Sequence, residues 1–272
     1  MINSKPGRST NSRPQFIASW VLMNMRVAPP EHTVTNKSGF YNIESTCNSS
    51  HSMSLELYHT THNAGPTTVV LIHGALVSGL YWDLVIPHLP TSYHLLVPDL
   101  PGHGKSQSTQ FSIDVASRMI AQLIRTHAIN GSAHIIGHSL AWTMCRVENC
   151  LARPLISWAM DGADIPRIDT NVCTIDLCRQ IVAPENPTEW PAPWPARTLI
   201  VAAGKGGLIP TKDSLHDAVK LMEIGRELNE ETVACTHLSM RHPWNRQAPR
   251  LFAETARAWF ESKELPEGFV KL

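Results

Sequence analysis

Apolar positions along this chain alternate between two rhythms. Short, mostly apolar runs at 67–72 (Thr-Thr-Val-Val-Leu-Ile), 93–97, 133–136, 155–160, 198–203 and 232–236 have the composition of strands covered on both faces. Between them the spacing lengthens. Ile113, Val115, Met119, Ile120, Leu123 and Ile124 recur at helical intervals within 111–129. The segments 80–89, 140–151, 213–228 and 249–261 also read as helices. An edge strand is expected at 54–59, where apolar and polar residues alternate, and an irregular stretch leads from about 160 to Pro195. Strands alternating with helices at this pitch predict an α/β fold: a mostly parallel, doubly wound sheet flanked by helices. Ligands of such sheets bind beyond the carboxyl ends of the strands. His73-Gly74, Asp99, Ser139, Asp161, Gly204 and His242 all fall at those ends or in the loops just past them.

Residues 1–50 depart from this rhythm. The first thirty carry many Ser and Asn, hold Lys5, Arg8, Arg13 and Arg26, and no acid occurs before Glu31. The apolar stretch 16–25 is too short to span a bilayer and lacks a clear small-residue cleavage site. The reading is therefore a disordered extension over 1–50 followed by one domain over 51–272, and no membrane span is expected. A formal net charge of zero over 272 residues disfavours nucleic acid and acidic membrane surfaces as partners. Six cysteines without C-x-x-C spacing read as free, mostly buried thiols. Fourteen histidines are scattered without H-E-x-x-H or similar spacing, so neither a metal site nor a cofactor is expected.

The chemistry concentrates at Gly137-His138-Ser139-Leu140-Ala141. Here a hydroxyl follows a buried strand on a turn into a helix, the layout of a nucleophile elbow. The ordered set His73-Gly74-Ala75, Asp99-Leu100-Pro101-Gly102-His103-Gly104-Lys105-Ser106, this elbow, and His242 followed by Pro249 and Leu251-Phe252 resembles the α/β-hydrolase family over about 54–269. That resemblance implies the hydrolase fold and a Ser139 nucleophile. A Ser hydroxyl needs an adjacent base, and the spacing to Pro249 selects His242 over His237. The oxyanion donors would be the backbone N–H groups of Ala75 and Leu140.

The acid is less regular. Where most of the family carries Asp, this chain has Gly207 in Gly204-Lys205-Gly206-Gly207. Asp161, at the end of the strand after the elbow helix, is the first choice, as in the minority of the family that draws its acid from there. Asp213 is the second, although it reads as a first-turn helix residue. Asp99 reads as a turn residue bonding backbone amides. His138 should point away from the nucleophile. Tyr81, Trp82 and Trp142 either line the pocket or simply pack, and Lys205 is either a substrate anchor or a solvated lysine.

The cap expected at about 164–196 is reduced, and its Pro- and Trp-rich end resists helix. The resemblance implies a serine hydrolase for an ester, thioester or related acyl bond of a small apolar molecule. Ser at the nucleophile position argues against the dehalogenase and epoxide hydrolase chemistries, for which the family uses Asp. The chain is also similar to hydrolase-like proteins of fungal secondary-metabolite and host-selective toxin clusters. The alternative is a degenerate fold that only binds a small molecule or protein, suggested by Gly207, Ala141 and the short cap. The terminal Val270-Lys271-Leu272 partly fits a peroxisomal address, with a cytoplasmic location as the alternative. Nothing in the chain predicts its oligomeric state.

Overall fold

The structure is a computed structural model of the 272-residue chain, and it describes residues 20–26, 56–138, 161, 174–181, 190–206 and 212–272. Among the described residues, eight strands make one sheet: β1 (Trp20–Arg26), β2 (His59–His62), β3 (Thr67–Ile72), β4 (Tyr93–Pro98), β5 (Ser132–Gly137), β6 (Thr198–Ala203), β7 (Val233–His237) and β8 (Phe269–Lys271). Their order is β2-β4-β3-β5-β1-β6-β7-β8. Strands β4, β3, β5, β6 and β7 share one direction, while β1, β2 and β8 run against their neighbours. The expected α/β sheet, mostly parallel with helices on both sides, is present.

Alternation along the strands divides the core between the two faces. Val69 and Leu71 of β3 join Leu95, Val97, Leu199 and Val201 on one face. That face is covered by helix Pro249–Phe260 through Phe252, Ala253, Ala256 and Trp259. Val70 and Leu96 point the other way, onto Met119, Ile120, Leu123 and Ile124 of α1 (Ile113–His127). Ser112 caps α1, its hydroxyl accepting from the Val115 amide at 3.1 Å. A second helix, α2 (Ile175–Ile181), adds Leu177 and Ile181 to this face. Helix α3 (Leu215–Arg226) covers β6 and β7 through Ala218, Leu221 and Met222, and Pro249–Phe260 is hereafter α4.

The structure departs from the sequence reading in four places. The expected disordered extension over 1–50 is interrupted by β1, a central strand antiparallel to both β5 and β6. Its Leu22 is only 1% exposed. Residues 80–89 form two 3-10 turns, Gly79–Trp82 and Ile86–His88, in place of one helix; Pro87, which has no amide hydrogen, lies in the second. The edge strand begins at His59 and not at 54. The cap segment, expected to be irregular, contains α2, and residues 190–197 lie against the body. There Trp194 donates to the Thr198 hydroxyl at 2.8 Å, and Trp190 and Trp194 pack on the α3 cluster. The expected helix 140–151, the strand 155–160 and Trp142 lie outside the described residues.

Candidate active site

Strands β3, β4, β5, β6 and β7 deliver their exits to one end of the sheet, and the site is assembled from those exits. After β3, His73 is 1% exposed and its ring is bonded twice. Its Nε2 accepts from the Leu100 amide at 2.9 Å, so Nδ1 carries the hydrogen and donates to the Gly74 carbonyl at 2.6 Å. Burial, with a smaller contribution from nearby His103, pushes the His73 pKa down to about 3. The ring is thus a neutral strut tying the Gly74-Ala75 turn to the β4 exit. Ala75 is buried beside Leu76, which holds a φ of 64°.

After β4, Asp99 accepts from the amides of Gly79 at 2.7 Å and Lys105 at 2.8 Å, the turn role its sequence context suggested. Gly104 makes this approach possible. It has a φ of +49°, and a Cβ there would lie 2.1 Å from Asp99 Oδ2. His103 is fully buried, its Nδ1 donating to the Pro101 carbonyl at 2.8 Å and its ring packed on His73 and Phe111.

After β5, the His138 amide donates to the Ile72 carbonyl at 3.1 Å, joining this exit to that of β3. The His138 ring stacks on Tyr81 at 5.1 Å and lies 4.5 Å from the ring of His242. Burial, then the adjacent imidazoles of His242 and His73, holds His138 well below the ordinary histidine pKa. It therefore serves as a neutral wall between Tyr81 and His242. Ser139 and Leu140, the next residues in the chain, lie outside the described residues, as do Ala141 and Gly207.

The carboxylate against His242 is Asp213, not the first choice, Asp161. His242 Nδ1 and Asp213 Oδ1 are 2.7 Å apart, and the Asp213 side chain is 1% exposed. A carboxylate only accepts, so Nδ1 carries the hydrogen and Nε2 the lone pair. Asp213 is held at the β6 exit by a reciprocal pair of bonds with Ala203. Its Oδ2 accepts from the Ala203 amide at 2.8 Å, and its own amide donates to the Ala203 carbonyl at 2.9 Å. It precedes the α3 cap, Ser214, so it is outside the first turn of that helix.

Asp161 reaches the same loop one residue away. It accepts from Arg241 Nε at 2.7 Å and from Lys205 Nζ at 2.8 Å. Those two bonds, Arg241 first, hold its carboxyl below the usual range. Its φ of 57° is tolerated because Asp is among the residues that enter the left-handed region. Lys205 is thus ion-paired in this structure.

The segment beyond His242 is fastened to the Tyr81 wall. Arg246 donates to the Tyr81 carbonyl at 3.3 Å and to Asp83, and Asn245 Nδ2 donates to the same carbonyl at 3.5 Å. Trp82 is core, packed on Phe252. His237, the rival base, ends β7 with its ring on Phe269. Cys235 is buried in β7, its thiol pushed up to about 12 by desolvation, and Cys178 is half-buried. Among the described residues, no helix is long and apolar enough to cross a membrane.

Sequence comparison agrees with this architecture. The family profile for the alpha/beta hydrolase fold matches residues 67–146. A pimeloyl-[acyl-carrier protein] methyl ester esterase from Pectobacterium carotovorum is 38% identical over 68 residues, covering 24% of this chain and 27% of that protein. An uncharacterized hydrolase from Saccharomyces cerevisiae is 33% identical over 82 residues, covering 29% and 28%. The match to an AB hydrolase superfamily protein of Gibberella zeae is far longer: 30% identity over 256 residues, 78% of this chain and 86% of the relative. With similarity extending over most of both sequences, the chain belongs to the α/β-hydrolase family.

Proposed function

We propose that this protein is a serine hydrolase that cleaves an ester or thioester of a small apolar molecule through Ser139, His242 and Asp213. The observation that carries this reading is the buried 2.7 Å contact between Asp213 and His242 Nδ1, with the residue preceding Ser139 packed against the His242 ring. Asp213 orients the imidazole and stabilises its charged form, and Nε2 takes the Ser139 proton as Oγ attacks the acyl carbon. Amides of Ala75 and Leu140 receive the developing oxyanion, one such donor being worth about 3 kcal/mol of barrier. Collapse expels the alcohol or thiol, which leaves with the proton from His242. Water, deprotonated by the same nitrogen, then attacks the acyl-enzyme, releasing the acid and restoring Ser139.

The esterase named among the partial relatives supports the acyl-transfer class. The substrate would belong to secondary metabolism, toxin biosynthesis included; the long relative, from the fungus Gibberella zeae, is named only as an AB hydrolase superfamily protein. A fluorophosphonate probe tests the assignment. Labelling of the wild type, abolished in Ser139→Ala and His242→Ala, is the expected result. A folded wild type that takes up no probe overturns it and favours a binding module.

A further inference from the structure

Strand β2 forms one edge of the sheet, six positions from β7 in the strand order. At a spacing of about 4.8 Å, that places it roughly 29 Å from the strand feeding His242. Two segments distant in sequence meet at this edge: Glu56 just before β2 with His59 opening it, and His127 closing α1. One ligand atom from each lies within 4.8 Å of the other two. His127 Nε2 is 2.6 Å from Glu56 Oε1, and the rings of His59 and His127 are 4.5 Å apart.

The hydrogen bonds around this cluster select the atoms that face it. His59 Nδ1 lies 3.1 Å from the Leu57 carbonyl, which only accepts, so the ring hydrogen sits on Nδ1 and the lone pair on Nε2. A backbone carbonyl on the second nitrogen is the usual way a metal-binding imidazole is oriented. His94 is held differently. Its Nδ1 is hydrogen-bonded to Thr68 Oγ1 at 3.1 Å, and it stands outside the ligand cluster. His127 also lies at the carboxyl end of a 15-residue helix, where the backbone dipole favours a cation.

We propose that Glu56, His59 and His127 form a site for a divalent transition metal of the zinc type. Two imidazoles and one carboxylate match the nitrogen-rich preference of such ions, whereas magnesium and calcium favour all-oxygen shells. Tetrahedral donors about 2.1 Å from zinc stand about 3.4 Å apart, so side-chain adjustments of about 1 Å close the present spread onto an ion. Water would complete the shell on this exposed edge. The bound ion would fasten an edge strand to a helix end across 71 residues of chain, which makes it a structural clamp separate from the hydrolytic site. The sequence signals it weakly, since only Glu56 and His59 lie close together in the chain and His127 is remote.

Calorimetric titration of untagged, chelator-treated full-length protein with Zn2+ tests the proposal, with Mg2+ as the comparison ion. One equivalent of Zn2+ and a higher melting temperature are expected. Affinity should fall at least tenfold in Glu56→Gln and further in His127→Gln, with circular dichroism confirming that each variant folds. His216→Ala, which removes an exposed histidine on α3 whose side chain is 80% exposed, should bind as the wild type does. Equal zinc affinity in the wild type and both ligand variants overturns the site, and Mg2+ binding as tight as Zn2+ overturns the metal class.

Discussion

Two aspartates converge on the loop that carries His242, and one contact separates their roles. Asp213 touches the imidazole, while Asp161 holds the neighbouring Arg241 guanidinium and Lys205. Asp213→Asn should therefore lower kcat for a short-chain ester by about 10³- to 10⁴-fold, since an amide at that position stabilises the wrong tautomer. Asp161→Asn should cost less than about tenfold, entering through loop position alone. Equal losses in the two variants would remove the distinction. The carboxylate partner of His242 was hard to read locally because Gly207 stands where the family usually has an aspartate. The loop after β6 instead runs on to residue 213 before returning to Ala203. No local pattern marks that return; it shows only as two bonds closing on a strand end. Asp99 was legible by contrast, because its partners lie within its own turn-rich segment and the facing loop. Gly104→Ala should destabilise the fold by about 2 kcal/mol in urea titration, combining positive-φ strain with a clash on Asp99.

Among elements, the parallel strands and α1, α3 and α4 were legible because periodicity reports burial directly. Ser112 and Ser214 mark helix starts within a residue or two of the expected bounds. Strand β1 was not legible. The partners of Trp-Val-Leu-Met-Asn-Met-Arg lie more than a hundred residues away at β5 and β6. Leu22→Ala should cost about 2–5 kcal/mol, as expected for a fully buried leucine on a core face. A chain starting after Arg26 should lose cooperative thermal unfolding, because the edges of β5 and β6 would both lack their partner. An unchanged melting curve for that truncation would argue against a structural role for the segment.

For the whole molecule, buried neutral histidines couple stability to acidity. His73 has a folded pKa of about 3 against 6.5 for the free side chain, so between those values the unfolded chain binds more protons. Stability should be full above about pH 6.5 and decline below it, by about 2 kcal/mol at pH 5 from His73 alone. His138 acts in the same direction. Urea midpoints measured from pH 7.5 to pH 5 check this, and a flat profile would contradict it. The carboxyl end is built into the sheet as well. β8 pairs with β7, and the Leu272 amide donates to the Ala234 carbonyl at 3.0 Å. A receptor reading Val270-Lys271-Leu272 as an extended peptide would have to strip that bond. We propose the peroxisomal address as a separate question for fluorescence microscopy. An amino-terminally tagged chain that is punctate, and diffuse without its last three residues, supports it; a diffuse intact chain overturns it.

The position of β1 has a consequence for synthesis. The segment leaves the ribosome long before β6, and the slot that receives it is not complete until β6 has been made. At 5–20 residues per second, this apolar heptapeptide waits roughly ten to thirty-five seconds beside a half-built sheet. During that interval it is a sticky nascent segment, and the yield of soluble protein in a cell should depend on how well chaperones shield it.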